Sequence, residues 1–130
     1  MSELFFYGLL LHLVGDYVTQ SDWMANEKTK SSIPALIHAT VYSVPFLLIV
    51  DLYGFLIISV THFFIDRFRL ARYLVYAKNF LSHPSYWYKW EDCRVTGYHK
   101  DRPVWLAVWL LIVADNTLHI CINTLVILLI

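Results

Sequence analysis

Histidine and aspartate recur as pairs, four residues apart, in three apolar stretches of the sequence. The pairs are His12 with Asp16, His62 with Asp66, and Asp115 with His119. Residues four apart lie on one face of an α-helix, one turn from each other. Imidazole and carboxylate groups together are typical ligands of zinc, manganese and iron, so the pattern predicts a site for one or two divalent metal ions.

Seven side chains form the predicted ligand set. His38, from a fourth apolar stretch, is either a further ligand or a donor to another ligand. The set comprises His12, Asp16, His38, His62, Asp66, Asp115 and His119. We expect the three aspartates, Asp16, Asp66 and Asp115, to be catalytic as well, because a carboxylate can accept the proton of a water activated by a metal ion.

Further polar residues extend the same helix faces and are predicted to bind substrate. Gln20 and Asn123 lie one turn beyond the first and last pairs, and two arginines follow the second pair. An arginine fork binds phosphate or carboxylate with two parallel hydrogen bonds. The predicted substrate-binding residues are Gln20, Arg67, Arg69 and Asn123.

The elements that carry these pairs are strongly apolar. Hydrophobic residues make up 58% of the 130-residue chain, and its mean hydropathy is +0.54. A helix needs about 20 apolar residues to cross a hydrocarbon core about 30 Å thick. Four stretches approach that length, about 4–20, 33–50, 52–68 and 104–128. The sequence therefore predicts an all-α membrane protein, a single domain over residues 1–130 with a bundle of four transmembrane helices.

Basic residues indicate the orientation of such a bundle. All ten Lys and Arg residues lie between the first and second stretches, or between the last residues of the third stretch and the start of the fourth. The positive-inside rule places both of these connections in the cytoplasm and both termini outside it. The segment of about 69–103 mixes bases with aromatic residues and is predicted to be cytoplasmic or interfacial. The formal net charge is zero, so nothing indicates a nucleic-acid partner.

Three motifs carry a resemblance to a known family. They are the run from Leu11 to Ala25, Thr61-His-Phe-Phe-Ile-Asp-Arg, and Ala114-Asp-Asn-Thr-Leu-His-Ile. Together they resemble an uncharacterised family of small bacterial and phage membrane proteins, over most of the chain. That family is in turn similar to membrane-bound metal-dependent hydrolases. The third motif departs from the family in having Asn116 after its aspartate. The resemblance implies a multi-pass protein of the bacterial inner membrane and supplies no substrate.

Three functions remain open on this reasoning. The leading hypothesis is a metal-dependent hydrolase of a lipid or phosphorylated lipid, with membrane lipids as its surroundings. The second is a carrier of divalent cations or protons through the same residues. The third is a non-enzymatic phage or bacterial membrane factor that binds another membrane protein, its His/Asp cluster being a hydrogen-bonded network without an ion. The sequence leaves open whether the protein is an oligomer.

Overall fold

The apolar stretches fold into helices of unequal length. The computed structural model describes residues 2–130, which form seven α-helices and no β-strand. They are α1 (Ser2–Leu13), α2 (Asp22–Glu27), α3 (Ser32–Ser43), α4 (Leu52–Phe68), α5 (Ala71–Lys78), α6 (Trp90–Cys93) and α7 (Val104–Leu129). The described part of the chain is therefore all-helical.

The prediction of a bundle of four transmembrane helices is wrong. Helices α1 and α3 have 12 residues each and α4 has 17. At 1.5 Å per residue they are about 18 Å and about 26 Å long, shorter than a hydrocarbon core of about 30 Å. Within residues 2–130, one helix is long and apolar enough to cross a membrane, the 26-residue α7.

In two of the shorter helices the hydrogen-bonding pattern changes from α to π or 3-10, and in the third the helix ends, before a full span is reached. After α1 the chain forms a π-helical turn, Val14–Val18, in which the Thr19 N–H donates to the Val14 carbonyl at 3.0 Å. After α3 it forms a 3-10 turn containing Pro45, whose ring crowds the preceding turn and provides no N–H. Helix α4 ends where Arg69 adopts a left-handed conformation with φ 52°.

The described helices group into two compact units. The first comprises the chain up to Phe68 together with His119–Ile130, and the second comprises Arg69–Leu118. Helix α7 begins in the second unit and ends in the first. The apolar core of the first unit consists of Tyr42, Phe46, Ile58 and Val126. The core of the second consists of Val75, Tyr98 and Ala107.

The first unit buries polar side chains and exposes apolar ones. Its buried polar residues include His12, Asp16, His38, Ser43, His62, Asp66, His119 and Asn123. Its exposed apolar residues include Phe5, Phe6, Ile33, Leu36, Leu52 and Phe64. In proteins surrounded by water, aspartate and histidine are seldom so deeply buried while large apolar side chains cover the surface.

Gly15 lies against the ring of Tyr42, where a Cβ atom would overlap the ring carbons. We therefore expect Gly15→Ala to lower the free energy of unfolding by roughly 1–3 kcal/mol, the usual cost of overpacking. Thermal unfolding followed by circular dichroism measures the effect. Gly8→Ala is the matched control, because its Cβ would meet the flexible end of Ile127, whose Cδ1 lies 2.7 Å away. Unchanged stability in Gly15→Ala would contradict this close packing.

Candidate metal centre

Four ionisable side chains from three segments converge in the first unit. Asp16 lies in the π-helical turn after α1, a type of turn that occurs frequently at functional sites. His38 lies on the buried face of α3. His62 and Asp66 lie one turn apart on the buried face of α4. Tertiary packing thus brings together the predicted pair His62 and Asp66, Asp16 from the first pair, and His38.

The ligand atoms of these four residues lie at the separations that a bound ion requires. The Nε2 atom of His38 lies 2.9 Å from His62 Nε2, 3.2 Å from Asp16 Oδ1 and 3.1 Å from Asp66 Oδ2. His62 Nε2 lies 3.5 Å and 3.1 Å from the same two oxygens. A tetrahedral ion with bonds of about 2.0–2.1 Å keeps neighbouring ligand atoms about 3.3–3.4 Å apart. These buried groups could therefore hold a metal ion.

Burial makes a cation at this point energetically important. The side chain of Asp16 is 10% exposed and that of Asp66 is 4% exposed, and both histidines are buried. Asp16 Oδ1 has no hydrogen bond of good geometry within the described residues, and its contact with His38 Nε2 at 3.2 Å is an ion pair only while that imidazole is protonated. A carboxylate oxygen removed from water without a donor or a cation is strongly destabilising. A metal ion among the four atoms would satisfy it.

Burial and neighbouring charges shift the pKa values of the cluster. Desolvation lowers the pKa of His62 to about 4, although Asp66 opposes it, so this imidazole is neutral at pH 7 and can ligate a metal. Burial alone would raise the pKa of Asp66, but His62, His38 and Lys28 hold it well below its ordinary value. Burial would also raise the pKa of Asp16, but the contact with His38 outweighs burial, and the pKa is lowered. Both carboxyl groups are therefore ionised at neutral pH.

The pKa of His38 shifts in the opposite direction from the pKa of His62. Burial would lower its pKa, but its contacts with Asp16 and Asp66 raise the pKa above the ordinary value. The two carboxylates favour the protonated imidazole because it is positively charged. A metal ion that bound His38 Nε2 would take over this role and release the proton.

Lys28 lies at the edge of the cluster and was not among the predicted site residues. Its Nζ atom lies 2.7 Å from Asp66 Oδ2 and 3.3 Å from His38 Nε2. The side chain is 18% exposed. Arg67 holds the segment next to it, since Nη1 donates to the Thr29 carbonyl at 2.9 Å. Arg67, predicted to bind substrate, thus fixes the backbone beside Lys28.

A second layer of side chains surrounds the four converging residues. The hydroxyl of Tyr42 lies 2.8 Å from His12 Nδ1 and accepts a hydrogen bond of 2.6 Å from Asn123 Nδ2. The Tyr42 ring stacks on His62 with centroids 3.7 Å apart. His12 Nδ1 also lies 3.6 Å from Asp16 Oδ2. Together these contacts orient His62 and Asp16.

The remaining predicted residues occupy different positions. His119 Nε2 lies 3.6 Å from Asp66 Oδ1, the carboxylate oxygen that does not face His38. Gln20 Nε2 donates to the Asp16 carbonyl at 3.1 Å. Arg69 and Asp115 belong to the second unit, where Arg69 Nη2 donates to the Val95 carbonyl at 2.9 Å. The role of Asp115 as a ligand stays a prediction.

Lys28 and Tyr42 contact the cluster but are not in the predicted set, for different reasons. Tyr42 follows His38 by four residues, so the spacing that revealed the His/Asp pairs also places it on the same helix face. Lys28 lies just after the short helix α2, and no periodic pattern relates it to the other residues. Only the path of the chain between α2 and α3 brings its ammonium group to Asp66.

Comparisons with known proteins identify a family for the chain. No curated protein and no solved structure matches it. The expected similarity to membrane-bound metal-dependent hydrolases is therefore not confirmed. A family model described as "Protein of unknown function (DUF3307)" matches residues 4–130. Because this match covers nearly the whole sequence, the chain belongs to that family.

Proposed function

We propose that the protein is a metal-dependent hydrolase whose divalent ion is bound by Asp16, His38, His62 and Asp66. The observation that carries the proposal is the separation of 2.9–3.5 Å between the facing Nε2 and carboxylate oxygen atoms. Such separations are close to the edges of about 3.3–3.4 Å in a tetrahedral site with bonds of about 2.0–2.1 Å, so small movements would complete the site. Two imidazoles and two carboxylates suit zinc, manganese or iron, and the tetrahedral spacing favours zinc.

The surrounding residues would prepare these ligands for catalysis. A metal ion bound there would act as a Lewis acid, and a water that joined it as a fifth ligand, or in place of one carboxylate, would have its pKa lowered. The second oxygens of the carboxylates, Asp16 Oδ2 and Asp66 Oδ1, face His12 and His119 at 3.6 Å. His12 and His119 thus lie where second-layer partners of metal ligands lie, and a small movement would bring each within hydrogen-bond distance of its carboxylate. Either carboxylate would then accept a proton during hydrolysis.

We propose a lipid, or a phosphorylated lipid, as the substrate because the first unit suits apolar surroundings. Large apolar side chains are exposed on α1, α3 and α4, around the buried polar cluster. Helix α7, with 26 residues, is about 39 Å long and exceeds the hydrocarbon thickness of about 30 Å. A hydrolytic site inside such a unit would meet ester or phosphate-ester bonds of lipids.

One observation favours a different function, that of a membrane factor without a metal. The ammonium of Lys28, 2.7 Å from Asp66 Oδ2, already supplies one positive charge to the cluster. In that case the cluster would be an ion-paired network that determines how the helices pack. Metal analysis separates this function from the hydrolase.

The first test is the metal content of the purified protein. After removal of metal by a chelator and reloading with Zn²⁺, we expect about one ion per chain by elemental analysis, since the four atoms surround one position. His62→Gln and Asp66→Asn should each lose most of this metal, because each variant removes one ligand. His83→Gln is the control, because His83 is exposed and bonded to Ser85 at 2.9 Å. Wild-type protein that retains no metal would refute the proposal.

The second test concerns the hydroxyl of Tyr42, which joins His12 and Asn123. We expect Tyr42→Phe to keep its metal and to hydrolyse substrate roughly 10–100-fold more slowly, the usual effect of losing a second-layer partner. The assay offers the Zn²⁺-loaded protein a panel of lipid esters and lipid phosphates. Tyr53→Phe, at an exposed position, is the control. If loaded wild type hydrolyses nothing but carries Zn²⁺ into liposomes, the carrier function replaces the hydrolase.

The third test concerns location. The exposed apolar surface and the length of α7 lead us to expect the protein in the membrane pellet after an alkaline carbonate wash, which removes peripheral proteins. Extraction should require detergent, because only detergent can cover the apolar side chains that lipid would otherwise contact. Full recovery in the carbonate supernatant would contradict a membrane location. A known peripheral protein in the same preparation serves as the control.

A further inference from the structure

We propose that Lys28 is the counter-cation of the cluster in the absence of metal, and that a divalent ion binds by displacing its ammonium group. This inference rests on the proposed metal site. It adds that Lys28 determines how tightly the site binds a cation. No pattern in the sequence indicates this role.

The geometry shows that the ammonium and a metal would both bind the Asp66 carboxylate, at Oδ2. Lys28 Nζ lies within 2.7 Å of Asp66 Oδ2 and 3.3 Å of His38 Nε2. These two atoms are among the four whose separations match a tetrahedral ion. Asp66 Oδ2 faces both Lys28 and His38, so an ammonium group 2.7 Å from this oxygen lies on the side of the carboxylate from which a metal ion would bind. The Lys28 ammonium at Asp66 Oδ2 therefore opposes binding of a metal ion to that oxygen, and a bound metal ion opposes the ammonium.

Charge leads to the same conclusion. The two carboxylates of Asp16 and Asp66 contribute two negative charges, and Lys28 places one positive charge 2.7 Å from Asp66 Oδ2. A divalent ion would neutralise both, and Lys28 would then be an additional positive charge beside it. Like charges at such distances repel strongly where little water separates them. Metal binding should consequently drive the ammonium group away.

The side chain can leave without disturbing the backbone. Lys28 is 18% exposed, so its flexible stem reaches solvent at the edge of the unit. The neighbouring backbone is held independently, because Arg67 donates to the Thr29 carbonyl at 2.9 Å and to Ser32 Oγ at 3.3 Å. Displacement therefore requires a rotation of one side chain rather than unfolding of α2.

The affinity for metal tests this exchange in the full-length protein. Zn²⁺ is titrated against a chelating dye with wild type, Lys28→Met and Lys30→Met. We expect Lys28→Met to bind Zn²⁺ roughly tenfold more tightly than wild type, within the usual range of coupling between two ligands. Lys30→Met should bind as wild type does, because Lys30 pairs with Glu27 at the surface, 2.8 Å away.

A second measurement uses the wild type alone, so it does not depend on how a variant folds. Lysine side chains are acylated with and without Zn²⁺, and the modified positions are mapped by mass spectrometry. Lys28 should become more reactive when Zn²⁺ is bound, because its ammonium group moves into solvent. Lys30 should react equally in both states, since it is exposed in either.

The outcomes separate this inference from the proposed function. If neither wild type nor Lys28→Met binds Zn²⁺, the metal site itself is refuted, and the exchange with it. If wild type binds Zn²⁺ while Lys28→Met binds it equally or more weakly, the metal site stands and the exchange is wrong. Unchanged acylation of Lys28 on addition of Zn²⁺ to a binding-competent wild type overturns the exchange in the same way.

Discussion

The neutralisation of two buried carboxylates is the constraint on which the first unit depends. Asp16 and Asp66 are both nearly removed from solvent, and an ionised carboxylate there is stable only beside cations or hydrogen-bond donors. The contacts with His38, His62 and Lys28 meet this need from α3, α4 and the segment after α2. The electrostatic requirement of the two aspartates thus determines which segments must meet.

The apolar core and the cluster are stabilised by the same side chain. Tyr42 belongs to the core of the first unit, yet its hydroxyl contacts His12 and Asn123, and its ring stacks on His62. Gly15 provides the space that the ring needs. A change in core packing would therefore move the proposed ligands, since closely packed side chains transmit displacements to one another.

The failure of the four-span prediction has a local physical cause. Hydropathy measures the composition of a stretch, whereas a span also needs one uninterrupted helix. The π-helical turn Val14–Val18 and the 3-10 turn that contains Pro45 lie inside apolar stretches, whereas α4 fills its stretch without a break and has only 17 residues. Composition still has a structural consequence, because the apolar side chains cover the exterior of the first unit while the polar groups are buried.

The sequence by itself determined the features that depend on local geometry. The four-residue spacing of His62 and Asp66 places both side chains on one face of α4, whatever the position of that helix. The apolar composition of the same stretch favours burial of these polar groups inside a helical unit. Tertiary structure alone decided that His38 contacts Asp16 Oδ1, whereas His12 lies near the other oxygen, Oδ2. It also decided that the Lys28 ammonium reaches Asp66. The reason is that spacing along a helix fixes distances within that helix, whereas distances between segments depend on how turns and packed side chains direct the chain.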